Sequence, residues 1–164
     1  VLAGAFGLSM NASDSPYDLP IFRDSFSASS PDGRHVASIN PACEVSMSNP
    51  TYGTLCLSSG LHLEWCNPSF LWDSTSRYLA VPQFFRRLGV FRLQRLLIID
   101  VVVRRVFASH RTAYYFQPES FVAGHLVVTV NPFGRASQLA WQVPDAFGSA
   151  FSYRPVVWAR EGSA

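Results

Sequence analysis

The chain has 164 residues, 48% hydrophobic and 15% charged, with a net charge of +2. A chain of this length and polarity folds as a single domain with its own core and is not disordered. A charge of +2 does not by itself point to nucleic acid, and no run approaches the roughly 18 apolar residues of a membrane-spanning helix, so no membrane span is expected.

All thirteen basic residues are Arg. A GC-rich bacterial genome produces that usage, and guanidinium forks also suit bidentate contact with carboxylates or phosphates. Cys43, Cys56 and Cys66 form no C-x-x-C pair. Their odd number argues against a disulfide framework or a zinc site and fits reduced thiols in a cytoplasmic protein, with a single Cys56–Cys66 or Cys43–Cys56 bridge as the alternative. Residues 1–10 are apolar but have no basic segment before them, so they read as a trimmed start rather than an intact signal peptide; a periplasmic location is the alternative.

Residues 1–24 show no clear period. From there, eleven Pro and ten Gly punctuate the chain into many short strands. Phe26–Ser29 reads as a strand, Ser30-Pro-Asp-Gly as a turn in which Pro presets φ and Gly accepts positive φ, and residues 35–39 as the next strand. Asn40-Pro and Asn49-Pro bracket a segment read as irregular, followed by a strand over residues 53–58. Leu61-His-Leu-Glu-Trp-Cys66 then alternates, with Leu61, Leu63 and Trp65 on one face and His62, Glu64 and Cys66 on the other.

Residues 69–81 repeat the earlier unit. With Ser30 set on Asp73, Arg34 falls on Arg77, Val36 on Leu79 and Ala37 on Ala80, an ungapped offset of 43 residues. A basic, aromatic excursion follows, Phe84-Phe-Arg-Arg-Leu-Gly-Val-Phe-Arg-Leu-Gln-Arg95, before a β-branched strand over 96–101 and a fourth strand over 104–109. The same offset carries Leu55 to Ile98 and Leu57 to Asp100. The third unit is degraded: a turn-rich position at Gln117-Pro-Glu-Ser, strands over 124–130 and 138–143, and two short strands over 150–153 and 156–159.

About four short strands per 43 to 46 residues is the period of a propeller blade. Ser30-Pro-Asp-Gly-Arg-His-Val-Ala37 resembles the S-P-D-G-R-x-hydrophobic-A turn of the WD40, TolB and prolyl-oligopeptidase-type propellers, while Asp73-Ser-Thr-Ser-Arg-Tyr-Leu-Ala80 departs from it at Pro and Gly. The resemblance implies one all-β domain over 1–164, with blade-like units at about 25–68, 69–113 and 114–159. It would form a small four-bladed ring or an open half-propeller; a β-sandwich with propeller-like hairpins is the alternative.

The chemistry-bearing residues are sparse. His62, Glu64 and Cys66 share a predicted strand face and are weak candidates for a metal site, against the simpler reading of an outward polar face. There is no G-x-S-x-G elbow and no Gly-rich phosphate loop, so no catalytic residue and no cofactor is assigned. The most suggestive surface is the excursion. Phe84, Phe85, Arg86, Arg87, Phe91, Arg92 and Arg95 combine arginine with aromatics, which suits an acidic pocket on a protein partner.

The expected function is therefore non-catalytic protein binding, of the kind a bacterial immunity protein performs in blocking a toxin or effector, with a homodimer as a second expectation for an open half-propeller. A hydrolase or the propeller part of a peptidase is the alternative. Nucleic-acid binding through the Arg/Phe stretch is the third and least favoured class.

Overall fold

A computed structural model of the chain describes residues 26–44, 50–87, 91–131 and 135–159, of which 40–44, 86–87 and 91–92 are described by their backbone only. The described residues are all-β apart from one helical turn, and every pairing within the sheets is antiparallel.

Three meanders follow one another along the chain. The first runs β1 (Phe26–Ser29), β2 (Val36–Glu44), β3 (Thr51–Leu57) and β4 (His62–Cys66). The second runs β5 (Leu71–Trp72), β6 (Tyr78–Arg87), β7 (Phe91–Asp100) and β8 (Arg105–Ala113). The third is a separate sheet of β9 (Phe116–Val122), β10 (His125–Val130) and β11 (Ser137–Gln142), followed by the turn α1 (Val143–Ala146). The last strand, β12 (Phe151–Arg154), returns to pair with the outer edge of β8.

The first and second meanders join at the pair Cys66↔Gln83. Pro82 lies beside this junction, where β6 changes partner from β5 to β4. A proline can sit in this central strand because on that side only its carbonyl is used, accepting the Asn67 amide at 2.8 Å.

The middle meander is buried on both faces. Leu79, Val81, Leu97 and Ile99 point into a core shared with Ile39, Leu55 and Leu63 of the first meander. Their neighbours Tyr78, Ala80, Leu96 and Ile98 point the other way, into a core with Phe116, Leu126, Val128 and Phe151. This explains why residues 96–99 read as an unbroken apolar run: a strand covered on both sides has no polar face to show.

The repeat detected in the sequence is a repeat of hydrogen bonds. In the first turn Ser30 N donates to His35 O at 2.8 Å and Gly33 N to Ser30 O at 2.8 Å. In the second, Asp73 N donates to Tyr78 O at 2.8 Å and Ser76 N to Asp73 O at 2.9 Å. Gly33 (φ 73°) and Ser76 (φ 64°) occupy equivalent left-handed positions.

The turns also bind one another. Asp32 N donates to Ser76 Oγ at 2.9 Å, tying the first to the second. Ser74 N donates to Phe121 O at 3.0 Å, and Gly124 N to Asp73 Oδ1 at 2.9 Å, tying the second to the β9–β10 hairpin. Trp72 adds a bond from its indole N–H to Ala28 O at 3.1 Å.

The structure corrects several expectations. No sheet closes on itself among the described residues, and the third meander has three strands there. The segment after Asn40, read as irregular, remains strand as far as Glu44, with a register shift between Ile39 and Ala42. The turn-rich position around Pro118 is instead the strand β9. The proline falls at a register shift on a sheet edge, where a missing N–H is tolerated. Residues 156–159 form no strand, only the isolated bridge Leu61↔Trp158. The basic excursion is not a loop between strands: β6 and β7 pair continuously through it, from Tyr78↔Asp100 to Arg87↔Phe91. No helix among the described residues is long and apolar enough to cross a membrane.

Candidate functional site

The far end of the β6–β7 hairpin meets the end of β4 and the start of β3, and a bulge decides which side chains are presented there. Opposite β4, Leu55 pairs with Leu63 but Gly53 pairs with Cys66, so β4 carries one extra residue. Trp65 takes up the extra residue with φ 64°, a left-handed conformation that is rare for a bulky side chain. The alternation expected of this strand breaks here. Cys66 turns into the core, fully buried, and Trp65 turns outward with 45% of its surface exposed.

This separates the three proposed metal donors. His62 and Glu64 are exposed while Cys66 is buried, so they share no face. Among the described residues no group of three His, Cys, Asp or Glu side chains could hold a metal ion. His62 instead lies beside its cross-strand neighbour Cys56, with Nδ1 3.3 Å from Sγ.

Trp65 stacks on Tyr52, with centroids 4.8 Å apart and planes 18° from parallel, and Tyr52 meets Phe84 edge-on at 6.1 Å. Phe84 is buried, and Phe85 lies under the Arg95 guanidinium at 5.4 Å. Of the seven residues expected to contact a partner, Phe85 and Arg95 therefore adjoin on one face of the hairpin, while Phe84, the next residue along β6, lies on the opposite face with Tyr52. Arg86, Arg87, Phe91 and Arg92 occupy the last two backbone pairs of the same hairpin, and their side chains lie outside the described residues.

Gln83 organises the charged part of the site. Its side chain is buried, and its Nε2 donates to Glu64 O at 2.8 Å. Its Oε1 accepts from Arg95 Nε at 3.1 Å and Nη2 at 3.0 Å, and also from Arg154 Nη1. Burial first, and the positive charge of Arg154 second, hold the Arg95 guanidinium below its usual pKa. Trp65, Tyr52, Gln83 and Arg154 were not singled out from the sequence. Trp65 was assigned to the wrong face, and Arg154 lies too far along the chain for any local pattern to link it to Arg95.

The opposite end, at the turns, differs in character. A groove of about 470 Å³ runs past Arg77, Tyr78, Val102 and Pro144. Its arginine is already satisfied: Arg77 Nε and Nη2 donate to Asp100 Oδ2 at 3.0 and 2.9 Å. Asp100 Oδ1 accepts in turn from the amides of Val102 and Val103, at 3.1 and 3.2 Å, and so fixes the β7–β8 turn.

The inward turn of Cys66 has a measurable consequence. Burial pushes its thiol up from 9.0 to about 12. In the unfolded chain the thiol loses its proton near 9, while the folded chain keeps it protonated, so stability is fully present below pH 9 and falls as pH rises toward 12. Burial raises Tyr78 and Tyr115 in the same sense, so the comparison that isolates the thiol is with Cys66→Ala. Between pH 8 and 10.5, urea unfolding in reductant should show the parent losing about 2 kcal/mol more than the variant. Equal losses would place the thiol in contact with water.

No protein-family model, curated protein or solved structure matches this chain.

Proposed function

We propose that the chain is a non-catalytic, propeller-like protein-binding module that meets its partner through Trp65, Tyr52 and the arginine-flanked end of the β6–β7 hairpin. Two features support a propeller-like architecture. Consecutive turns repeat the same hydrogen bonds at an offset of 43 residues, and the meanders pack face to face with the middle one covered on both sides. Toxin inhibition, the narrower form of the binding role, rests on size and composition alone, and no residue in the structure selects it.

The observation that carries the binding role is the backbone of Trp65. A left-handed tryptophan costs roughly 1–3 kcal/mol of local strain, and such strain concentrates at functional sites. Here the strain brings a large apolar ring out to solvent and buries a cysteine instead. Tryptophan, tyrosine and arginine are also the residues most enriched in the small clusters that dominate binding energy.

The test is a random dodecapeptide display library panned against the full chain, with the selected peptides measured by calorimetry against the parent and Trp65→Gly. Glycine adopts φ 64° without penalty, which offsets the lost Tyr52 stack, so stability should change by less than about 1 kcal/mol. Peptide affinity should fall about 30-fold or more. No enrichment, or peptides that bind both forms equally, would remove this face as the binding site.

A further inference from the structure

Arg95 and Arg154 are brought together with no acid beside them among the described residues. Arg95 uses two of its donors, and Arg154 one, on the single side-chain oxygen of Gln83. The ion pairs among the described residues are Arg34–Asp32 and Arg77–Asp100, so neither guanidinium has a carboxylate within 4.0 Å there. Both are half-buried. Two like charges converging in a partly desolvated site repel unless an anion joins them.

The residue at position 83 sets this up. A glutamate there would offset one of the two positive charges from within. Glutamine leaves the charge unbalanced, and its Nε2–H bond to Glu64 O fixes the amide so that its oxygen faces the two forks. Each fork then has further N–H groups for a planar, two-oxygen acceptor. The Arg77–Asp100 pair shows the same chain completing such a contact internally elsewhere.

We propose that Arg95 and Arg154, held together by Gln83, form a receptor for a carboxylate side chain on an acidic segment of a partner protein. This rests on the binding role given above and names the chemistry its partner presents. A carboxylate is favoured over a phosphate because the receptor is bordered by an aromatic ring on its own face, Phe85 lying beneath Arg95. An acidic segment with an apolar neighbour meets both parts.

The receptor can be tested without any partner. Sodium acetate and sodium phosphate are each titrated into the labelled full chain, with sodium chloride at matched ionic strength as reference, while the arginine Nε–Hε resonances are followed by NMR. Acetate should shift the Arg95 and Arg154 signals saturably and beyond the chloride response. Arg154→Ala should weaken that response about tenfold, Arg154→Lys should restore only part of it, and Gln83→Glu, which supplies the carboxylate internally, should abolish it.

An acetate response no larger than that of chloride would overturn the proposal. So would phosphate saturating at tenfold lower concentration than acetate, or an unchanged response in Gln83→Glu with the fold intact by amide spectra. Loss of the acetate response with Trp65-dependent peptide binding intact removes the receptor alone; the reverse result removes the binding face alone.

Discussion

Replacing Asp73 by alanine should destabilise the protein by about 3 kcal/mol, the largest effect expected of any polar side chain in the structure. Asp73 is fully buried. Its Oδ1 accepts the amide of Gly124 at 2.9 Å, and its Oδ2 accepts the amide of Thr75 at 3.2 Å together with the Thr75 hydroxyl. Alanine leaves two backbone N–H groups without acceptors at a packed junction, where each unsatisfied donor costs about 1–3 kcal/mol. Gly124 has no easy alternative, since its φ of 80° fixes the hairpin and a Cβ there would meet Gln142 at 2.8 Å. Asp73→Asn keeps one acceptor and should lose about half as much. Denaturant unfolding gives the values, and hydrogen exchange at Gly124 should accelerate in the alanine variant. A loss below about 1 kcal/mol would mean that the turn does not hold the third meander.

Leu97→Ala and Ile98→Ala should each cost about 2–5 kcal/mol, although the two residues are adjacent in one strand. In a sheet with one wet face, one of any two neighbours is on the surface and its truncation is nearly silent. Here Leu97 faces the core shared with the first meander, Ile98 the core shared with the third, and both are fully buried. Urea unfolding of the two variants distinguishes the arrangements. If either falls within about 0.5 kcal/mol of the parent, the middle meander is covered on one side only.

What the sequence reveals follows from how local each determinant is. The turn at Ser30-Pro-Asp-Gly is set by four consecutive residues, so its copy at Asp73 can be found by alignment, and the two share their hydrogen bonds. The doubly covered strand is legible because burial on two faces leaves an apolar run over 96–99.

The candidate site is less legible. The bulge at Trp65 comes from a register shift against Gly53 and Leu55, a matter of pairing across strands rather than of composition. Simple alternation therefore places both Trp65 and Cys66 on the wrong faces. The Arg95–Gln83–Arg154 contact depends on β12 returning to β8, and its outermost members, Gln83 and Arg154, are 71 residues apart in the chain. The excursion is misread because aromatic and basic residues without clean alternation resemble a loop, whereas the structure pairs them residue by residue with their own continuation.

The return of β12 also bears on how the molecule is made. Val106, Phe107, Ala108 and Ser109 of β8 find their outer partners only in residues 151–154. A ribosome adds about 5–20 residues per second, so the 37 residues between Ala113 and Phe151 take roughly 2–7 s to emerge. Throughout that interval the nascent chain exposes a bare strand edge with apolar side chains beside it, a template for pairing with any neighbouring chain. The outer edge of β8 then stays open until β12 emerges, and truncation before residue 151 should yield aggregates rather than a smaller folded unit.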